Sequence, residues 1–169
     1  MQSIFVALCI VGAVGAVAHD WVNDFDKPFT FSCRPGKMIG SLYSVHSNLH
    51  EDRRWKIGCW RNTPVASRWW SPAINFHREY FVFVCPFQSA LSGMAGVHSN
   101  KFEDRRFRFH CTQRKFKRTR RCWWSSYLNR FDGVFRFVTP RGTYISGVKA
   151  QYSRFHKDRR FAIRSCRLY

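Results

Sequence analysis

Apolar and polar residues alternate along several short segments of the chain, with the period of two residues that is typical of half-buried β-strands. Three of these segments place apolar side chains at Phe29-x-Phe31-x-Cys33, Trp55-x-Ile57-x-Cys59 and Phe107-x-Phe109-x-Cys111. No segment shows the 3.6-residue period of an amphipathic helix. The pattern therefore predicts an all-β fold.

One unit recurs along the chain at intervals of 52 and 54 residues. Each copy contains an aromatic-x-aromatic strand and, further on, an acidic-basic element that is followed by a cysteine. The element occurs as Asp52-Arg53-Arg54-Trp55, Asp104-Arg105-Arg106-Phe107 and Asp158-Arg159-Arg160-Phe161. Because one copy is too small to bury its own aromatic face, three pseudo-symmetric repeats of about 52 residues are expected to pack together.

The repeat favours a β-trefoil-like or β-prism-like arrangement stabilised by disulfides. The segments between the aromatic-x-aromatic strands and the acidic-basic elements do not decide between the two arrangements, because they are predicted to be short strands rich in Gly and Ser. These segments lie around 39–45, 94–98 and 144–149.

The first 18 residues have the features of a secretory signal peptide. They contain no charged side chain, begin with an apolar run and end at Ala16-Val17-Ala18, so cleavage is predicted before His19. The remaining 19–169 form one domain with repeats at about 19–66, 67–118 and 119–169. A secreted, extracellular protein is the expected product.

Cleavage removes Cys9 and leaves six cysteines, an even number that indicates disulfides in a secreted chain. Equivalent positions in the first two repeats predict the pairs Cys33–Cys59 and Cys85–Cys111. The remaining pair is Cys122–Cys166, since the third repeat has threonine at the first cysteine position. The Asp-to-Cys count is also one residue longer in the third repeat, which predicts a β-bulge in that strand.

The chain carries 29 Lys and Arg against 10 Asp and Glu, a formal net charge of +19. The densest cluster lies between the second and third repeats and is a candidate polyanion site. Its cationic residues are Arg114, Lys115, Lys117, Arg118, Arg120 and Arg121. Outside the cell the expected partners are sulfated glycans, proteoglycans or cell-surface glycoconjugates, and an anionic membrane surface, but not nucleic acid. The stretch 118–121 also fits a dibasic processing site.

Two tryptophan pairs are either core residues or exposed platforms for stacking on sugar rings, with one ring of each pair expected to face inward and the other outward. The pairs are Trp69-Trp70 and Trp123-Trp124. The three Asp-Arg-Arg-aromatic elements are either a trivalent ligand site or a structural device. A structural role is favoured, because symmetric packing requires one element to be copied in every repeat.

Sequence motifs for an enzyme are absent, so no catalytic residue is assigned. The seven histidines are scattered, and His46 and His98 occupy equivalent repeat positions, as structural residues would. With the cysteines assigned to disulfides, neither a metal site nor a cofactor is expected.

The triple Asp-Arg-x-aromatic element, with a cysteine seven or eight residues later, resembles the dermatopontin family over residues 19–169. The start Asp20-Trp21-Val22-Asn23 is similar to the start of mature members. The basic, Phe-rich composition is more similar to the invertebrate branch, which includes a hemagglutinin/amebocyte aggregation factor and a hydrozoan cytotoxin.

The resemblance implies an extracellular, non-enzymatic adhesion or agglutination protein that binds matrix proteoglycans or cell-surface glycans. Self-association is a separate expectation about its partners. The alternatives are a cationic cytotoxin or host-defence protein acting on anionic membranes, and a small basic secreted hydrolase.

Overall fold

The computed structural model describes residues 21–60, 64–114 and 121–167, which form eleven β-strands and no helix. The all-β prediction is therefore confirmed, and these residues include no helix of the length and hydrophobicity that would cross a membrane. The strands are β1 (Phe29–Ser32), β2 (Met38–Ser47), β3 (Asp52–Trp60), β4 (Val65–Trp70), β5 (Phe81–Val84), β6 (Ala90–Ser99), β7 (Asp104–Arg114), β8 (Cys122–Trp124), β9 (Phe135–Val138), β10 (Thr143–Ser153) and β11 (Asp158–Arg167).

Each repeat contributes one long hairpin, formed by β2–β3, β6–β7 and β10–β11. The Gly- and Ser-rich segments were predicted to be short strands, and that prediction was wrong: β2, β6 and β10 are 10, 10 and 11 residues long. The small residues lie where another backbone comes close. A Cβ atom on Gly93 would lie 2.6 Å from the Phe31 carbonyl oxygen, and one on Gly147 would lie 2.5 Å from that of Phe83.

The four-residue aromatic-x-aromatic strand of each repeat pairs with the hairpin of another repeat. Strand β1 pairs with β6, β5 with β10, and β9 with β2, all antiparallel. The sheets have the orders β1-β6-β7-β4, β5-β10-β11-β8 and β3-β2-β9. This exchange closes a cycle through the three repeats, so no repeat completes its sheet alone. The assignment to a trefoil or a prism stays a prediction.

The predicted bulge in the strand of Cys166 was wrong in its position. The register of all three hairpins shifts in the first strand instead, between Ile39 and Ser41, Leu91 and Gly93, and Ile145 and Gly147. Cys166 lies directly opposite Cys122 on the neighbouring strand β8. The extra residue between Asp158 and Cys166 therefore places Cys166 for a cross-strand disulfide and does not form a bulge in β11.

The disulfides are Cys33–Cys59, Cys85–Cys111 and Cys122–Cys166, the three pairs that the repeat predicts. They border a core in which the aromatic residues of the three acidic-basic elements meet. The ring centroid of Trp55 lies 5.1 Å from that of Phe161 and 6.3 Å from that of Phe107. All three side chains are buried. The last residue of each element thus anchors the centre of the molecule.

A buried asparagine in each repeat satisfies the backbone at the same place. The side chain of Asn23 donates to the carbonyl oxygen of Arg53 at 2.9 Å and accepts from the amide of Trp55 at 2.9 Å. Asn75 and Asn129 make the same two bonds in their repeats. Since buried backbone groups need partners, these side chains replace a neighbouring strand beside the acidic-basic element.

Candidate functional site

The first arginine of each acidic-basic element forms a buried ion pair with the aspartate of another repeat. Arg53 donates to both carboxylate oxygens of Asp158 at 2.6 Å, and Arg159 donates to both of Asp104 at 2.7 Å. Arg105 pairs with Asp52 in the same way. The three pairs join repeat one to three, three to two and two to one. They form a closed structure that we call the ion-pair ring.

Each carboxylate of the ion-pair ring receives further support from the backbone. The amide of Asp26 donates to Asp52 at 2.9 Å, that of Arg78 to Asp104 at 2.6 Å and that of Asp132 to Asp158 at 2.8 Å. Buried charges are tolerated when they are paired and fully hydrogen-bonded in this manner.

The pKa of the Asp158 carboxyl reflects that balance. Burial alone would raise the pKa, but the close imidazole of His46 and the hydrogen bonds and charge of Arg53 outweigh burial and hold it below its usual value. Asp158 is thus kept ionised by its surroundings. This arrangement supports the structural role that we propose for the three elements.

The second arginine of each element is half-buried and stacks on aromatic rings. The guanidinium of Arg54 lies 4.5 Å from the ring centroid of Trp21, and that of Arg160 lies 4.5 Å from that of Tyr127. Arg106 lies 5.4 Å from the exposed ring of Phe76. We call these three groups the cation–aromatic stacks. Each follows directly after an arginine of the ion-pair ring, so the ring fixes their spacing.

Further cations extend the stacks along the sheets. Lys56 lies 4.8 Å from the Trp21 ring centroid, and Arg54 also lies 5.5 Å from that of Phe25. Arg160 lies 4.7 Å from the ring of Phe131. Cations held over aromatic faces keep their charge at a fixed position.

The tryptophan pairs lie in the outer strands β4 and β8. Trp69 packs against the core, and its neighbour Trp70 is half-buried beneath Arg108, at 5.7 Å. Trp123 is 42% exposed, and Trp124 is half-buried with Lys149 at 5.0 Å from its ring centroid. In the second pair, the Trp123 ring is therefore the more exposed one, and the Trp124 ring is partly covered.

The basic cluster is only partly within the described residues. Arg114 ends β7, and Arg121 is exposed immediately before β8. Lys115, Lys117, Arg118 and Arg120 lie outside the described residues, as do the signal peptide and most of the processing site at 118–121.

The sequence did not predict that the second arginines form a surface. It also did not predict which groups surround two of the histidines. In the hairpin register, His46 lies opposite Arg53 and His98 lies opposite Arg105. The signal that could have located them is the constant spacing of six residues between each histidine and the aspartate of the next element. Both histidines therefore lie next to the ion-pair ring.

Comparisons with known proteins agree on one family. The model of the dermatopontin family matches residues 23–169. The chain is 35% identical to the hemagglutinin/amebocyte aggregation factor of Limulus polyphemus over 150 residues, 88% of this chain and 87% of the relative.

It is 36% identical to Millepora cytotoxin-1 of Millepora dichotoma over 146 residues, 86% of this chain and 65% of that relative. It is 31% identical to the dermatopontin of Biomphalaria glabrata over 147 residues, 87% of this chain and 99% of the relative. No solved structure matches the chain significantly. With a family match across nearly all the described residues, the chain belongs to the dermatopontin family.

Proposed function

We propose that this protein is a secreted, non-enzymatic adhesion or agglutination protein that cross-links cells or matrix by binding sulfated glycans. The observation that carries the proposal is the occurrence of a cation–aromatic stack in each of the three repeats, at Arg54, Arg106 and Arg160. The named similarity to a hemagglutinin/amebocyte aggregation factor supports the same activity.

The chemistry of the stacks fits a sulfated sugar chain. Arginine forms paired hydrogen bonds to anionic oxygen groups, and an aromatic face matches the apolar face of a pyranose. One stack in each of the three repeats allows simultaneous engagement of more than one chain or chain segment. Agglutination needs such multivalency, and self-association of the protein would increase it.

The other candidate residues extend this surface. We propose that the cationic residues 114–121 add long-range attraction for sulfated glycans, proteoglycans or cell-surface glycoconjugates, and that Trp70, Trp123 and Trp124 add stacking contacts. Polyanion binding of this kind weakens as salt rises, because each neutralised charge releases counterions.

The experiment is agglutination of cells by purified protein at low and high salt, with heparin and neutral sugars as competitors. The variant Arg54→Gln/Arg160→Gln removes two stacks and is expected to raise the minimum agglutinating concentration at least tenfold. The matched control, Arg141→Gln/Arg154→Gln, removes the same charge at two exposed positions and should change it about twofold. Inhibition by a neutral sugar but not by heparin or salt would contradict the proposal.

A second candidate function is damage to anionic membranes, which the similarity to Millepora cytotoxin-1 favours. The structural support is a pair of large apolar side chains at equivalent hairpin tips, Leu49 at 86% and Phe155 at 90% exposure. Exposed apolar tips on a protein of strong net positive charge are suited to insertion into an anionic bilayer surface.

Dye release from sugar-free anionic vesicles separates the two functions. Release that is lost in Leu49→Ser/Phe155→Ser, while heparin binding is kept, would establish the membrane activity. No release from these vesicles, together with agglutination that heparin inhibits, would reject it.

A further inference from the structure

Two histidines beside the ion-pair ring each face two carboxylates from another repeat. One cluster, the His46 cluster, contains His46, Asp132 and Asp158; the other, the His98 cluster, contains His98, Asp26 and Asp52. In each, one nitrogen and two carboxylate oxygens lie within 4.8 Å of one another. The two clusters occupy equivalent positions at two of the three junctions between repeats.

The contacts in the His46 cluster bring a third carboxylate into reach. The Nδ1 atom of His46 lies 3.3 Å from Asp158 Oδ1, and Nε2 lies 3.8 Å from Asp132 Oδ1 and 3.6 Å from Glu51 Oε2. In the His98 cluster, Nδ1 lies 3.1 Å from the amide oxygen of Asn100 and 3.4 Å from Asp26 Oδ1. Carboxylates therefore lie on both sides of the His46 imidazole, and one lies beside Nδ1 of His98.

Polar atoms in both clusters are buried without a hydrogen-bond partner. The side chain of His46 is 0% exposed, and neither ring nitrogen forms a hydrogen bond of good geometry, although Nδ1 lies 3.3 Å from Asp158 Oδ1. The Nε2 atom of His98 and Oδ1 of Asp26 are likewise unpartnered, and the His98 side chain is 1% exposed. Such atoms cost free energy unless a further group satisfies them. Their convergence on adjacent carboxylates indicates that the missing group is a cation.

The third junction, which lies between the second and third repeats, has neither histidine nor outer aspartate and supplies an internal comparison. There, Tyr152 takes the place of the histidine and Arg78 that of the outer aspartate, next to Asp104. The backbone of Arg78 bonds Asp104, and its Nε donates to the Phe102 carbonyl oxygen at 3.0 Å. The hydroxyl of Tyr152 donates to the Glu103 carbonyl oxygen at 3.1 Å. This junction carries its own positive charge where the other two carry histidine and aspartate.

A second histidine positions the outer aspartate of each cluster. His50 Nδ1 lies 3.1 Å from Asp26 Oδ2, and His156 Nδ1 lies 2.8 Å from Asp132 Oδ2. Each of these imidazoles is stacked on a phenylalanine, Phe25 or Phe131. Partners that hold a carboxylate from its far oxygen are a regular feature around metal ligands.

We propose that the His46 and His98 clusters are two divalent metal sites, for which Zn²⁺ is the best-fitting ion. Imidazole nitrogen and carboxylate oxygen are both Zn²⁺ ligands, and three protein ligands leave a fourth position for water. Each ion would join two repeats, since the histidine comes from one and the carboxylates from another. The sequence expectation of no metal site is thereby revised, and the proposal does not depend on glycan binding.

The test is calorimetric titration of Zn²⁺ into the chelator-treated protein, with Co²⁺ absorption as a direct signature of coordination. The expected stoichiometry is two ions per chain. Asp26→Asn and Asp132→Asn should each reduce it to one and together to zero. Asparagine keeps the shape and tolerates the positive φ of 61° at both positions. The matched control His77→Gln, outside both clusters, should retain two ions.

A gain-of-site variant makes the test independent of any loss of folding. Arg78→Asp/Tyr152→His recreates the cluster at the third junction and should raise the stoichiometry from two to three. No saturable Zn²⁺ binding to the unmodified protein would overturn the proposal. Binding that survives Asp26→Asn/Asp132→Asn but is lost in His50→Gln/His156→Gln would also overturn it, because the ions would then lie on half-exposed surface histidines.

Discussion

The three junctions between repeats follow one plan, but two of them carry a disulfide that the third lacks. At every junction a short strand pairs with the hairpin of another repeat, and an arginine–aspartate pair joins the same two repeats. Cys33–Cys59 and Cys85–Cys111 also tie the crossing strands β1 and β5 to their own hairpins. At the equivalent place beside β9 the chain has Thr139 and Ser165.

The junction between the third and first repeats keeps the crossing without the covalent bond. Strand β9 pairs with β2 over four residue pairs, as β1 does with β6. The amide of Thr139 donates to the Gly40 carbonyl oxygen at 2.8 Å, and its hydroxyl donates to the same oxygen at 2.9 Å. The difference teaches that backbone pairing and the ion-pair ring set the geometry, whereas a disulfide there mainly restricts the unfolded chain.

Breaking the ring at the junction without a disulfide should have the largest effect. Arg53→Met removes the bidentate partner of the buried Asp158, and it is expected to lower the free energy of unfolding by about 3–5 kcal/mol. Denaturant unfolding gives the value. Hydrogen exchange should show the greatest loss of protection in β9 and β2, where no disulfide limits opening.

The adjacent Arg54→Met is the control, because it removes a surface cation at the cost of about 1 kcal/mol or less. Equal effects of the two substitutions would show that the ring contributes little to stability.

Adding a disulfide at the junction that lacks one should raise the free energy of unfolding. Thr139→Cys/Ser165→Cys recreates the separation of 26 residues found at the other two junctions. On the chain-entropy model, the new bond should stabilise the oxidised protein by up to about 3.5 kcal/mol. A thiol count and denaturant unfolding test this, with Thr139→Cys/Ser165→Ala as the control. Two free thiols in the folded double-cysteine protein would refute the equivalence of the junctions.

Acid should weaken the second repeat through a residue that the other repeats lack. His110 lies beside Cys111, where the first and third repeats have Gly58 and Arg164. Burial, with a smaller contribution from the charge of Arg68, lowers the pKa of His110 from 6.5 to about 4. Its contribution to stability is therefore complete above pH 6.5 and is lost as the pH falls toward 4.

The expected loss in that interval is about 1–2 kcal/mol, measured by denaturant unfolding across the pH series. His110→Gln cannot take up the proton and should show a flatter profile. An identical decline in both proteins would assign the acid sensitivity to other groups.

Much of the covalent framework and the local structure could be predicted from the repeat. Equivalent positions identified the disulfide pairs, and the alternation at Phe29 and Phe31 identified a strand. The candidate site was less accessible, because the second arginines form a surface only when Trp21 and Tyr127 are brought beside them. The clusters at His46 and His98 were missed for the same reason, since their carboxylates come from other repeats.

The sequence by itself determined that the chain is all-β, that it repeats three times, which cysteines pair, and that it carries strong positive charge. Those properties depend only on residue types and on their spacing along one chain. Only the tertiary structure decided that β1, β5 and β9 cross between repeats and that Arg53 reaches Asp158 rather than its neighbour Asp52. Backbone hydrogen bonds are the same for every residue, so an alternating pattern specifies a strand and its buried face but not its partner.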